Sequence, residues 1–226
     1  MLEGIKLYKQ GKYKEALHYF RNVDSKEDLA GELSYYLGLC YAKLKQYEES
    51  LLYLEQVVTS DLGFAQVYQA RMVLSFIYCE TERYRLAEFE LNKLIDDGYD
   101  SAQVHSALGF VLHAQGKKAA AINQLERALE LDKSNPTALN SLAYIMAEEN
   151  IRPGVALTYI RKALEHHPNH PPYLDTLGWI QYRIGNIQES LESLRMARKK
   201  WPENNEIRKH LRVVLDKYHE AQQNKL

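Results

Sequence analysis

One pattern returns along this chain of 226 residues and limits what it can fold into. A large apolar residue is followed by a small one, and a large one comes three positions later. Further on come a small residue, a large one four on, and an apolar one three beyond that. The second copy reads Leu37, Gly38, Tyr41, then Ser50, Leu54, Val57. The third reads Leu74, Ser75, Tyr78, then Ala87, Leu91, Leu94, and the fourth Leu108, Gly109, Leu112, then Ala121, Leu125, Ala128. The fifth has Leu142, Ala143, Met146, then Ala156, Ile160, Ala163, and the sixth Leu177, Gly178, Gln181, then Ser190, Leu194, Ala197. A partial first copy gives Gly4 and Leu7, then Ala16, Phe20 and Val23. From Gly4 through Gly38, Ser75, Gly109 and Ala143 to Gly178 the steps are 34, 37, 34, 34 and 35 residues.

Within each copy the apolar positions fall at i, i+3, i+4 and i+7, the spacing of one face of a helix. Each copy is therefore a pair of amphipathic helices. The small residue of the first helix faces a small residue of the second, so the two axes approach closely. One apolar face of each pair stays uncovered until the next pair buries it. The boundary residues agree. Asp100 with Gln103 reads as a capping box opening the fourth copy. Asn135-Pro136 reads as N-cap and first-turn proline of the fifth, and Pro171 opens the sixth in the same way. Pro168 and Pro202 close second helices. Gly11, Gly116 and Gly185 sit at the turns inside copies. Three extra residues near Phe64–Val67 lengthen the joint before the third copy, and one near Arg152-Pro153-Gly154 lengthens the turn of the fifth.

A period near 34 carrying L-G-x-x-Y and then A-x-x-x-F resembles the tetratricopeptide repeat (TPR) family over residues 1–204. The resemblance implies an all-α chain: a right-handed α-solenoid of about six helix pairs, with copies near 1–29, 31–64, 68–100, 101–135, 136–170 and 171–204. Residues 205–226 form a C-terminal capping helix and tail. The helical part runs from about Glu206 to Gln222, with Ile207, Leu211, Val214, Leu215 and Tyr218 on one face. About thirteen helices and no strand are expected. The first copy departs from the pattern, with Glu3 where leucine is expected. So does the sixth, with Gln181 in an aromatic position.

Several function classes are excluded. Lys plus Arg number 29 against 30 Asp plus Glu, so no basic excess attracts nucleic acid. The balance reaches roughly +5 from Arg195 onward, yet a nucleic-acid reading needs aromatics interleaved on that face, so it reads as a solvated surface, with a docking patch for an acidic protein as the second reading. No apolar run is long enough for direct membrane insertion. Met1-Leu2-Glu3-Gly4 opens no secretory signal. Cys40 and Cys79 lie inside apolar helical patterns and read as core thiols. No nucleophile elbow, phosphate loop, zinc-binding helix or dinucleotide fingerprint occurs, so neither an enzyme nor a cofactor is expected. His166, His167 and His170 lack a completing carboxylate or cysteine and read as a polar helix end, not a metal site.

The informative stripe lies on the first helices. The residue after each small one is, in order, Ile5, Leu39, Phe76, Phe110, Tyr144 and Trp179. Three residues before the small one stand Tyr35, Met72, Ser106, Asn140 and Asp175, and four after it His113 and Tyr182. Ile5 and Leu39 read as packing. In TPR proteins the first helices line the concave surface, so the resemblance implies a ligand groove of Tyr35, Phe76, Phe110, His113, Asn140, Tyr144, Trp179, Tyr182 and Arg183. The Lys and Asn that grip a carboxylate tail in TPR co-chaperones are missing. Tyr35, Leu39, Met72 and Phe76 stand in their places.

The expected partner is a protein or peptide with apolar anchors, and the expected function a non-catalytic scaffold. Self-association is the alternative, as a homodimer through the apolar N-terminal end of Leu2, Ile5 and Tyr8. Another is service as the targeting segment of a larger assembly or enzyme. The stretch Leu139–Leu194 resembles pairs found in bacterial proteins, envelope lipoproteins among them. The bacterial cytoplasm or periplasm is accordingly the expected compartment.

Overall fold

A computed structural model describes residues 1–23 and 29–223. Among the described residues there are thirteen α-helices and no strand. The chain divides into two compact units, Met1–Asp100 and Ser101–Leu226. The first holds α1 (Leu2–Lys9), α2 (Tyr13–Arg21), α3 (Ala30–Lys43), α4 (Tyr47–Val57), α5 (Phe64–Glu80) and α6 (Tyr84–Asp96). The second holds α7 (Ala102–Ala114), α8 (Lys118–Leu131), α9 (Pro136–Glu148), α10 (Pro153–His166), α11 (Pro171–Arg183), α12 (Ile187–Lys200) and α13 (Asn205–Gln223). In each unit the helices pack in consecutive pairs, and the second helix of a pair packs on the first helix of the next.

The repeat pattern becomes packing in a specific way. A Cβ placed on Gly38, Gly109 or Gly178 would lie 2.6, 2.5 or 2.6 Å from the side chains of Leu54, Leu125 and Leu194 respectively. The first helix therefore rests its bare backbone on a leucine 16 residues ahead. The small residue 12 ahead completes the fit. Where it is serine it also adds a hydrogen bond: Ser50 Oγ donates to the Gly38 carbonyl at 2.8 Å, and Ser190 Oγ to the Gly178 carbonyl at 2.7 Å. Ala87, Ala121 and Ala156 take this place elsewhere and are fully buried.

The turn inside each copy carries a left-handed residue. These are Gly11, Lys45, Glu82, Gly116, Asn150 and Gly185, with φ between 55° and 89°, and the lengthened fifth turn adds Arg152 at φ 44°. Glycine adopts that region freely, and other residues at a cost. Other punctuation differs from expectation. The cap of α7 is Ser101, whose side chain accepts from Val104 N at 3.3 Å, one residue beyond the expected Asp100. Asn135 caps α9 as expected, accepting from Ala138 N at 3.0 Å. The extra residues near Phe64 add to no loop. They extend α5 to 17 residues, where other first helices of full copies have 13 or 14.

Buried Ile207 and Val214 place α13 against the last pair, Ile207 with Leu174 and Ala197, Val214 with Leu191 and Leu194. Asn204 Oδ1 accepts from Ile207 N at 2.9 Å and starts the helix.

Candidate functional site

Each unit carries its own share of the first-helix stripe. In the first unit Tyr35 on α3 is buried, and its hydroxyl donates to Gln69 Oε1 at 2.6 Å. Burial pushes this phenol up to about 12. Phe76 on α5 is the opposite case. It is 51% exposed, and its ring meets that of Tyr47 edge-on at 6.4 Å. Leu39, at the same register in α3, is buried.

In the second unit Phe110 on α7 is 50% exposed. His113, one turn on, meets Tyr144 edge-on at 5.8 Å. The stripe then runs beneath α13. The Tyr144 hydroxyl donates to Glu206 Oε1 at 2.6 Å, and burial followed by this carboxylate raises its pKa. Asp175 Oδ2 pairs with His210 Nδ1 at 2.9 Å, both side chains buried. Burial raises the Asp175 carboxyl, opposed by the His210 contact. The His210 ring stacks on Trp179 at 4.2 Å, and Trp179 stacks on Tyr182 at 5.2 Å. Three buried polar atoms on these two helices lack a partner: Asn140 Oδ1, Asp175 Oδ1 and Trp179 Nε1. Arg183 at the end of α11 is exposed.

The structure thus brings His113, Tyr144, Trp179 and Tyr182 into one chain of ring contacts, with Asn140 on the same helix as Tyr144. Tyr35 and Phe76 belong to the other unit. Sequence reasoning missed Glu206 and His210, because the last helix was read only as a solvating cap. One signal was available: His210 follows Asp175 by 35 residues, a further repeat step.

No helix among the described residues is long and apolar enough to cross a membrane. His170 rests on the Tyr173 ring at 4.2 Å, and burial lowers its pKa. Cys40 lies in the first unit's core, its thiol pushed up to about 12 by burial.

Models of two repeat families match parts of the chain, one described as tetratricopeptide repeat over residues 1–62 and one as TPR repeat over residues 109–149. A TPR repeat-containing protein of Pseudomonas aeruginosa is 36% identical over 92 residues, 39% of this chain and 15% of the relative. The chain therefore spans a small part of that relative's length. A chain of the APC/C hetero-tetramer Cut9–Hcn1 superposes with TM-score 0.75 at 14% identity, covering 94% of this chain and 41% of that one. YrrB, described as a TPR protein with an unusual peptide-binding site, superposes with TM-score 0.52 at 19% identity over 86% of this chain and 95% of its own. At these identities the likeness is one of fold.

Proposed function

The chain is a tandem tetratricopeptide-repeat protein, and we propose that it is a non-catalytic scaffold holding a protein or peptide by apolar anchors on its first-helix stripe. A TPR fold supports protein–protein interaction in general. The finer reading rests on one observation. Phe76 and Phe110 hold the same register in successive copies, and half of each ring faces solvent. A phenyl ring left in water forgoes roughly 1–2 kcal/mol of burial, which a partner's apolar side chain recovers. Phe76 carries this role in the first unit, where Tyr35 on the same stripe is buried and bonded to Gln69. In the second, Phe110 leads, followed along the stripe by His113, Asn140, Tyr144, Trp179, Tyr182 and Arg183, with Tyr144 and Trp179 partly covered by α13. Arg183 is free to pair with a carboxylate on the same ligand.

Photo-crosslinking tests this reading. A benzophenone amino acid at position 76 or 110 is expected to trap a common partner. The same probe at Leu52, which is 65% exposed on a second helix, is expected to trap none of it. Equal yields from all three positions, or none, contradict the stripe.

Leu2 supports a second reading. It is 86% exposed on α1, with Ile5 only half-buried nearby. An apolar end of this kind pairs with its like. Self-association through residues 1–20 predicts a sedimentation coefficient that rises with concentration and falls back in Leu2→Glu. A clean monomer at high concentration removes the idea.

A further inference from the structure

Two clefts away from the first-helix stripe occupy the same niche of the repeat. One, of about 300 Å3, is lined by Lys14, Leu17, His18 and Arg21 of α2 with Leu44 and Gln46 from the α3–α4 turn. The other, of about 460 Å3, is lined by Ile122 and Glu126 of α8, by α9, and by Ile151 and Arg152 of the α9–α10 turn. Leu17 and Ile122 stand 13 residues after Gly4 and Gly109, the small residues that mark their copies. Gln46 and Ile151 stand 8 after Gly38 and Ala143. The gap between a second helix and the next copy's turn is thus a recurring apolar notch, and its rim chemistry varies.

In the second unit the rim carries one acid and one base, Glu126 and Arg152. In the first unit it is cationic. Lys14, His18 and Arg21 fall at i, i+4 and i+7, one face of α2, and all three are exposed. Among the described residues no acidic side chain lines the cleft. Neither Lys14 nor Arg21 forms an ion pair with a described residue. Beneath them Leu17 and Leu44 are half-buried and form the floor. An apolar floor under exposed cations is complementary to an apolar side chain flanked by carboxylates. A phosphate or a nucleic-acid backbone leaves that floor empty.

We propose that this notch between α2 and the α3–α4 turn is a docking site for an acidic segment of a partner protein. A leucine-sized side chain sits on Leu17 and Leu44, and flanking carboxylates meet Lys14 and Arg21. The site is independent of the first-helix stripe and adds a second, charge-selected point of attachment.

The probe is a capped pentapeptide with a central leucine between pairs of acidic residues, titrated into the full chain with methyl and amide NMR detection. Perturbations are expected at Leu17, Leu44 and the backbone of α2, and they weaken as salt is raised. The double variant Lys14→Glu and Arg21→Glu, both at exposed positions, is expected to lower the affinity about tenfold or more. Its circular dichroism should match the parent. Three results overturn the proposal: no shifts at millimolar peptide, equal binding by the peptide with amides in place of its carboxylates, or unchanged binding by the charge-reversed variant. Equal binding by a neutral peptide with a free C-terminus also overturns it, by assigning the cations to a chain terminus.

Discussion

At the scale of single residues the fold turns on where side chains are absent. Gly109 shows this most sharply, because two rules give opposite signs for Gly109→Ala. Helix propensity alone predicts a gain of about 1 kcal/mol. The added methyl, however, would lie 2.5 Å from Leu125 and 3.2 Å from the Ala121 carbonyl. Overpacking of this kind costs about 1–3 kcal/mol, so a net loss in chemical denaturation is expected. The reverse holds at the turn. Glu82 is held at φ 58°. Glu82→Gly is expected to raise the unfolding free energy by about 0.5–1 kcal/mol, the relief of left-handed strain less the entropy glycine adds to the unfolded chain.

Titratable residues make a further prediction for the first unit. Burial pushes Tyr8, Tyr35 and Cys40 up to about 12 and Cys79 to about 11. Each is raised in the folded state, so its contribution is complete below the unfolded pKa and is lost as pH rises. Thiols in the unfolded chain ionise first, then phenols. Stability is therefore expected to fall from about pH 9 upward as the unfolded state sheds protons that the folded state retains. Thermal melts from pH 7 to 11 measure it. A flat profile contradicts these burials.

At the scale of elements the helices were legible and the role of the last one was not. Period and apolar spacing located the pairs because each contact is local in register: a small residue, then its leucine 16 on. Caps were less legible. Ser101 outcompeted Asp100 by its own geometry, which no spacing encodes. Of the candidate stripe, the sequence supplied the residue positions but not their exposure, since exposure depends on what lies opposite. Leu39 and Phe76 share a register, yet one is covered and one is open. Glu206 and His210 were invisible as stripe partners because contacts such as Tyr144 to Glu206 span 62 residues.

Those contacts make α13 testable. With Trp201 replaced by phenylalanine, Trp179 is the sole indole and reports on the helix above it. His210→Ala removes the ring stacked on it at 4.2 Å. The variant is expected to red-shift the emission and admit quencher. It should also cost about 1–3 kcal/mol, because the buried Asp175 loses its partner. Unchanged emission would mean that α13 does not cover the indole in solution.

At the scale of the whole molecule the chain is a series of similar pairs, divided between two units, whose repeat positions are spent on packing. In the proposed function its interaction chemistry sits where a repeat position is left open, as at the half-exposed Phe76 and Phe110. The most direct test is the affinity of a crosslinked partner, once identified, for the parent chain and for Phe110→Ala. Phe110 is half in water, so the variant is expected to keep its helicity and melting temperature. The account predicts an affinity loss of about tenfold or more, the mark of an anchoring residue. Undiminished affinity in a fully folded Phe110→Ala variant would contradict it.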